Sequence, residues 1–505
     1  MHVTRRSLLK SVSAAAALMA CGTSRALAGQ AWDMIVVGAG TAGIPAALFG
    51  AQNGARVLLL EKAAQVGGTL WFSGGQMSAA GTRRQAALSI DDSPERHLAD
   101  ILRISRGTAD PALVRRAVTQ AGPTLDWLDS AGFEFGPEFP LDATGHEPYS
   151  RRRIWGGTQR GYSVLKVLER ELATARAKPV LVTRFDVTDL LIGSGGTVTG
   201  VRGVDESGKI QQFHAPRVVL ASGGYMANPQ MFAELNGRPQ YRAAGWPANT
   251  GIGVTLALAA GGYTRGSQNY LCDFGSIPAE LDLPSPEYAR SIHHPQRRMP
   301  WEIYVNRLGQ RFIREDDESI DTRERALSQQ DDHRYWVVFD EPTLSAAPTL
   351  VRSAPPGEVR DWTRDELRAA FDEAPAFVRA DSIEELATRA GIDPAGLLGT
   401  IRQFNDAVRN GSDSWGRRYM PRPVDTPPYY AIRHQGGTLI SVAGVAVDES
   451  LRVVRPGGAP IPGLYAIGEL LGNGSLSGQA FCSGMMVTPA LSLGRWLGMT
   501  LSKRA

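Results

Sequence analysis

Short apolar runs broken by glycine set the first element of this chain. Met34 to Val37 is a four-residue apolar run that ends in Gly38, Gly40 and Gly43, and a helix-length segment separates it from a second run, Val57 to Leu60. Uninterrupted runs this short predict buried parallel strands, so residues 33–62 predict a βαβ unit. Residues 95–105, 110–130 and 161–176 carry the period of amphipathic helices, and Asp110-Pro111 supplies a cap and a first-turn residue for the second. Val180 to Val187, Thr197 to Val204 and Arg217 to Leu220 predict strands. The last runs into Ala221-Ser222-Gly223-Gly224, and near the C-terminus a short apolar strand runs through Gly463-Leu464-Tyr465-Ala466-Ile467 into Gly468-Glu469.

Three strand-to-glycine turns far apart in sequence predict one cofactor site assembled from distant segments. In the first turn, glycine allows the tight corner, a close backbone approach to a pyrophosphate and close helix–strand packing. Glu61 ends the second strand eighteen residues after Gly43, placed to accept the hydroxyls of an adenosine ribose. Residues 66–82, VGGTLWFSGGQMSAAGT, are rich in glycine and small polar residues, which suits a loop lying against a flat cofactor.

Charge and cysteine content narrow the setting. Residues 1–28 join Arg5-Arg6 to an apolar stretch, Val12 to Ala20, and to Ala26-Leu27-Ala28, the layout of a cleavable export signal of the twin-arginine type. The apolar stretch is shorter than the roughly 20 residues of a membrane-spanning helix. Release after Ala28 into the periplasm is favoured over a lipid anchor at Cys21. Residues 1–28 carry Arg5, Arg6, Lys10 and Arg25 and no acid, so their removal takes the net charge from +3 to −1. That gives no electrostatic case for nucleic acid. Cys272 and Cys482 then remain, which make neither a disulfide framework nor a metal motif. No CxxCH haem motif is present, so a haem partner would be a separate protein. At 505 residues, two lobes are expected.

The pieces VVGAGTAG with Glu61, GGTLWFSGG, VVLASGGYMANP, VNRLGQRFIRED (305–316) and IPGLYAIGE stand in this order along the chain. Together they resemble the FAD-dependent family that contains fumarate reductase flavoproteins, aspartate oxidase and 3-ketosteroid dehydrogenases. The resemblance implies an α/β fold: a Rossmann-type FAD-binding domain from residues 31–265 and 420–505, with an α+β capping substrate domain, 266–419, inserted. It implies non-covalent FAD held by Gly38, Gly40, Thr41, Ala42, Gly43, Glu61 and Lys62. Further contacts are implied at Gly68, Thr69, Ser73, Gly74, Gly75, Val187, Ala221, Gly223, Gly468, Glu469, Gly484, Met486 and Val487. No metal is expected. Thr488 and Pro489 read as the N-cap and first residue of a helix to about Leu497, whose N-terminus would face the flavin N1 and O2 edge.

Two branches of that family separate at the substrate. In the fumarate reductase-like pattern a dicarboxylate-binding histidine falls at Ile440 and the arginine acid at Ser319. No arginine lies between Gly468 and Gly484, and Arg298 matches a proton-delivery arginine whose glutamate partner position holds Pro295. A dicarboxylate desolvated without those cations would cost several kcal/mol by roughly buried-charge magnitudes. The ketosteroid dehydrogenase-like branch is closer at the C-terminus, where Gly484 precedes Pro489-Ala490, although its tyrosine position holds Ala480. Candidates for proton chemistry are Tyr149 beside Arg151, Arg152 and Arg153, then Tyr304, the pair His293-His294, and Arg298; His434 reads as structural. The expected activity is an FAD oxidoreductase acting on CH–CH bonds, introducing a C=C bond beside a carbonyl in a cyclic, mostly apolar ketone. The alternatives are reduction of an activated alkene such as an unsaturated monocarboxylate, fed by a separate cytochrome, and a non-catalytic flavin-binding redox protein. Expected partners are a small-molecule substrate, a quinone or cytochrome as electron partner, and the twin-arginine export machinery.

Overall fold

The structure is a computed structural model that describes residues 30–243, 245–354 and 359–502. The expected export signal, with Cys21, lies outside the described residues. The labelled strands, in chain order, are β1 (Met34–Val37), β2 (Val57–Leu60), β3 (Val180–Val182), β4 (Val218–Leu220), β5 (Ile303–Val305), β6 (Arg334–Asp340), β7 (Phe377–Ala380), β8 (Tyr429–Gln435), β9 (Arg452–Val454) and β10 (Pro460–Ala466). The labelled helices are α1 (Gly43–Gln52), α2 (Ile320–Leu327) and α3 (Val487–Leu501).

The first lobe is a six-stranded sheet in the order β9-β10-β4-β1-β2-β3. β1 pairs in parallel with β2 and β4, β10 pairs in parallel with β4, and β9 is an antiparallel edge. Every residue of β1, β2 and β4 is buried, as an apolar strand covered on both faces must be. Chain order reverses about β1, and a crevice forms beyond the carboxyl ends of strands at such a switch point. α3 packs on α1 through glycine: a Cβ at Gly494 would lie 2.3 Å from Ala42 O, and one at Gly498 the same distance from Ala46 O. The amphipathic helices appear as Pro94–Ile104, Pro111–Ser130 and Gly161–Thr174. The strand expected at 180–187 is two strands. The chain turns at Arg184, φ +55°, and Asp186–Ile192 joins Val198–Val204 and Ile210–His214 in a separate antiparallel sheet.

The inserted lobe is built on a four-stranded antiparallel sheet in the order β5-β6-β8-β7. β8 pairs along its whole length with β6, from Tyr429 opposite Asp340 to Gln435 opposite Arg334. This corrects the expected boundary: residues after 420 still belong to the cap, and the return to the first lobe comes after Gln435. Alternation explains it. Tyr429 and Ala431 pack in one apolar cluster with Ile303, Val305, Trp336 and Phe404, while Tyr430 and Ile432 face a second with Tyr304, Tyr335 and Phe339. A strand buried on both faces satisfies two layers at once. Among the described residues no helix is long and apolar enough to cross a membrane.

Candidate active site at the junction of the lobes

The glycine corner after β1 is shaped by the chain's own packing. Gly38 turns at φ +104°, a Cβ there would lie 2.5 Å from Ala221 O, and one on Gly43 would lie 1.8 Å from Gly38 O. Gly40, between them, has no atom within 4 Å of that position. Two glycines are therefore forced and the middle one keeps the approach clear for a phosphate. Thr41 and Ala42 lead into α1, whose N-cap offers no side-chain acceptor, leaving that terminus to an anion. At the end of β2, Glu61 accepts from Ala39 N at 2.8 Å and from Ala63 N at 2.7 Å. Each carboxylate oxygen keeps a lone pair for a ribose hydroxyl. Burial pushes this carboxyl above its usual range, with the backbone N–H groups opposing. These residues fit the adenosine half of a dinucleotide.

The other expected contacts fall into two groups. Gly67 N donates to Ala39 O at 2.8 Å, which brings Gly68 and Thr69 against the corner. Ser73 Oγ accepts from Gly75 N at 3.0 Å, and Gly74 faces open space. Ala221 N donates to Val37 O at 2.8 Å, placing Gly223 beside Gly38. Val187 is buried just after Phe185, whose N–H donates to Glu61 O at 2.9 Å. The Lys62 ammonium pairs with Asp186 at 2.8 Å on the surface. Glu469 is engaged within the protein. Its buried carboxylate accepts from Ser441 N at 3.1 Å, Ser441 Oγ at 2.9 Å and Asn249 Nδ2 at 3.1 Å. It ties the second and third glycine turns together, with Gly468 against Ala42.

The C-terminal segment enters from the other side. α3 begins at Val487 with Met486 as N-cap and no side-chain cap. Thr488 is inside the first turn, and its Oγ1 accepts from Ser78 N at 2.7 Å. The expected cap is thus a tertiary anchor, and the helix runs past Leu497 to Leu501. Gly484 turns at φ +82°, where a Cβ would lie 2.4 Å from Ser78 N. Loop 142–149 docks on this segment. Tyr149 OH donates to Ser483 O at 2.7 Å, Thr144 Oγ1 meets Ser483 Oγ at 2.8 Å, and the His146 ring stacks on Phe481 at 4.2 Å. The expectation that neighbouring arginines make Tyr149 a base is corrected. Burial pushes its phenol well up. The nearest arginine, Arg153, is bound to Asp92 at 2.8 and 3.0 Å and to Asp100 at 2.8 Å.

The cap contributes a buried polar chain. Arg298 donates to both oxygens of Glu302, at 2.8 and 3.0 Å. Its carboxylate partner is therefore four residues downstream, and Pro295 leaves no gap. Tyr304 OH donates to Glu302 Oε1 at 3.3 Å and meets His293 Nδ1 at 2.8 Å, and Tyr335 OH meets His293 Nε2 at 3.1 Å. Burial holds the Tyr304 phenol well above, and the His293 imidazole well below, their usual ranges. His434, as expected of a structural residue, bonds Ser291 Oγ at 2.7 Å. His294 is pushed down to about 4 by burial, then by Arg323 and His146.

α2 carries the residues that an ungapped count along the chain missed. Ser319 is its N-cap and accepts from Thr322 N at 3.2 Å. One turn later, Arg323 is fully buried and gives its two Nη groups to the carbonyls of His293 and Asp317, with Nε unpartnered. Among the described residues it forms no ion pair, and burial pulls its guanidinium below the usual range. Next to it, Glu324 is buried and its carboxyl is pushed up to about 8, first by burial. Glu324 and Asp321 approach His146 Nδ1 at 3.7 and 3.4 Å. The TRER run at 322–325, four residues beyond the expected position, was the available signal. Loop 142–149 is thus tied both to the Phe481–Gly484 segment and to α2 at the lobe junction.

Residues 33–485 match the FAD binding domain family. The cytochrome-type fumarate reductase of Shewanella frigidimarina is 28% identical over 477 residues, covering 93% of this chain and 77% of that one. The vinyl phenol reductase of Lactiplantibacillus plantarum is 28% identical over 484 residues, covering 90% and 95%. Among solved structures, the 3-ketosteroid Δ1-dehydrogenase of Sterolibacterium denitrificans shares the fold, with a TM-score of 0.69 at 20% identity, covering 94% of this chain and 99% of that one. The chain belongs to the FAD binding domain family. It is an FAD-dependent oxidoreductase, and its three glycine turns lie together, Gly38 against Ala221 and Gly468 against Ala42.

Proposed function

We propose that this member of the FAD family reduces an alkene conjugated to a carbonyl or carboxylate. When bound, FAD supplies the two-electron chemistry at the C=C bond. The observation that carries the direction is Arg323, fully buried on α2, with its two Nη groups on backbone carbonyls and no ion pair among the described residues. Beside it, burial pushes the Glu324 carboxyl up to about 8. Reduction of an alkene consumes a proton, whereas desaturation of a ketone needs a base to remove one. Neither expected phenol fits the base: Tyr149 and Tyr304 both donate their hydroxyl protons, and burial pushes both further from neutrality. Arg323 holds the proton for the substrate carbon at Nη, in a site where desolvation lowers the cost of giving it up. Relatives named as reductases of fumarate and of vinyl phenols support the same class of C=C chemistry.

Electrons are proposed to come from a separate cytochrome or a quinone, in keeping with an exported protein. Both proposals are checked by fractionating cells for the protein and for its spectral partner. The reaction itself is tested anaerobically, by mixing chemically reduced holoenzyme with acrylate, cinnamate, cyclohexenone and 4-vinylphenol and following flavin absorbance. Reoxidation by an alkene, slowed by ~10²–10⁴-fold in Arg323→Met with flavin content intact, is the expected result. Bleaching of oxidised enzyme by saturated cyclic ketones, with no alkene effective, would restore the desaturase reading. No response to any of these would favour a redox-binding protein.

A further inference from the structure

The loop between Asp142 and Tyr149 carries one ionisable ring, His146, at the meeting of three segments. His146 lies flat on Phe481, ring centroids 4.2 Å apart and planes 28° from parallel. Its Nδ1 faces Asp321 Oδ1 at 3.4 Å and Glu324 Oε2 at 3.7 Å. Asp321 is itself fixed: Glu147 N donates to its Oδ2 at 2.6 Å, and its side chain is fully buried. The preceding residue, Gly145, turns at φ +98° with the His294 ring 3.0 Å from where a Cβ would stand. The imidazole is therefore held by one lobe through Phe481 and by the other through α2. Nε2 makes no hydrogen bond to the described residues, yet it is not a buried orphan, since the side chain keeps 18% of its surface exposed. It is the accessible end of the ring, at the junction already assigned to the reaction.

Resting on the reductase reading above, we propose that His146 Nε2–H is the anchor for one oxygen of the substrate's carboxylate. The charges at this junction suit an anion. Arg323 and Arg325 form no ion pair among the described residues, and the His146 ring is shifted towards its charged form by the acids of α2. Glu324 is protonated below about pH 8, and His294 is neutral above about pH 4. Two guanidiniums without ion pairs among the described residues, beside an imidazole favoured in its charged form, suit a carboxylate. Burial opposes the imidazolium, whereas Glu324, where it is ionised, and Asp321 favour it. A charge-assisted hydrogen bond from a ring fixed on three sides also orients the alkene, because the donor cannot follow a misplaced substrate.

The test uses His146→Phe, which keeps a ring on Phe481 but removes the donor, and His146→Gln, which restores an N–H. Holoenzyme of each is titrated with propionate and 3-phenylpropionate, read as perturbation of the flavin spectrum, and assayed with acrylate and cinnamate. The proposal expects dissociation constants and KM for the carboxylates to rise at least tenfold in His146→Phe, with partial recovery in His146→Gln and flavin content unchanged. Equal carboxylate binding in parent and His146→Phe would overturn it, as would a parent that binds neither saturated acid. A parent that binds these acids through His146 but reduces no alkene would sink the reductase reading while leaving the anchor standing.

Discussion

Replacing Glu324 with glutamine should change the pH dependence of stability more than any other single substitution at the junction. Glu324 is buried, its carboxyl is pushed up to about 8 from 4.5, and burial is the first cause. For an acid with a raised native pKa, the protonated folded state is favoured. Stability is therefore complete below the unfolded value and is lost as pH rises towards 8. At about 1.4 kcal/mol per pH unit, the loss is roughly 1 kcal/mol at pH 5, about 3 at pH 7 and near 5 well above pH 8. Glutamine keeps the shape and stays neutral, so Glu324→Gln should gain on the parent by about 3 kcal/mol more at pH 8 than at pH 5. His146 leaves a residual slope of the same sign, because its own raised pKa adds stability only on the acid side. Guanidinium melts of both holoenzymes across this range measure the difference. Parallel loss of stability in parent and variant would refute burial as the cause of the Glu324 shift.

Gly43→Val would place atoms inside the 1.8 Å gap to Gly38 O, and should give folded protein without flavin absorbance; a yellow Gly43→Val protein would contradict the geometry of the first corner. Tyr149→Phe should cost about 1–2 kcal/mol for the lost bond to Ser483 O while turnover is retained, and loss of turnover with flavin in place would return Tyr149 to the proton chemistry. Glu302→Gln should destabilise by about 3–5 kcal/mol because it leaves the Arg298 guanidinium buried beside a neutral partner, whereas the double change Arg298→Met/Glu302→Leu should be near neutral; thermal unfolding of the three proteins decides.

The sequence disclosed the first lobe well because its signals are local. Four apolar residues between glycine turns can be little else than a covered strand, and Asp110 does cap its helix, its Oδ1 accepting from Ala112 and Leu113 N–H. The misreadings share a different origin. Thr488 has the chemistry of an N-cap, but Ser78, some four hundred residues away, claims its hydroxyl, and nothing near Thr488 announces that. Tyr149 sits among arginines in the sequence, yet two aspartates on another helix and its approach take up Arg153. Strand β8 reads as well for one lobe as for the other until its partner β6 is known. The ungapped count fell on Ser319, the N-cap of α2, and Arg323 lies one turn further along the same helix. In each case the deciding partner lies far along the chain, where pattern and spacing carry no information.

The placement of β10 beside β4 governs the order in which this protein can be born. Those neighbours are separated by some 240 residues that include the entire inserted lobe, and α1 rests on α3, which follows β10 in the chain. Closing so long a loop is entropically slow. A nascent chain leaving the ribosome can therefore complete its second lobe before its first, and the seat for the prosthetic group stays unfinished until β10 and α3 have emerged.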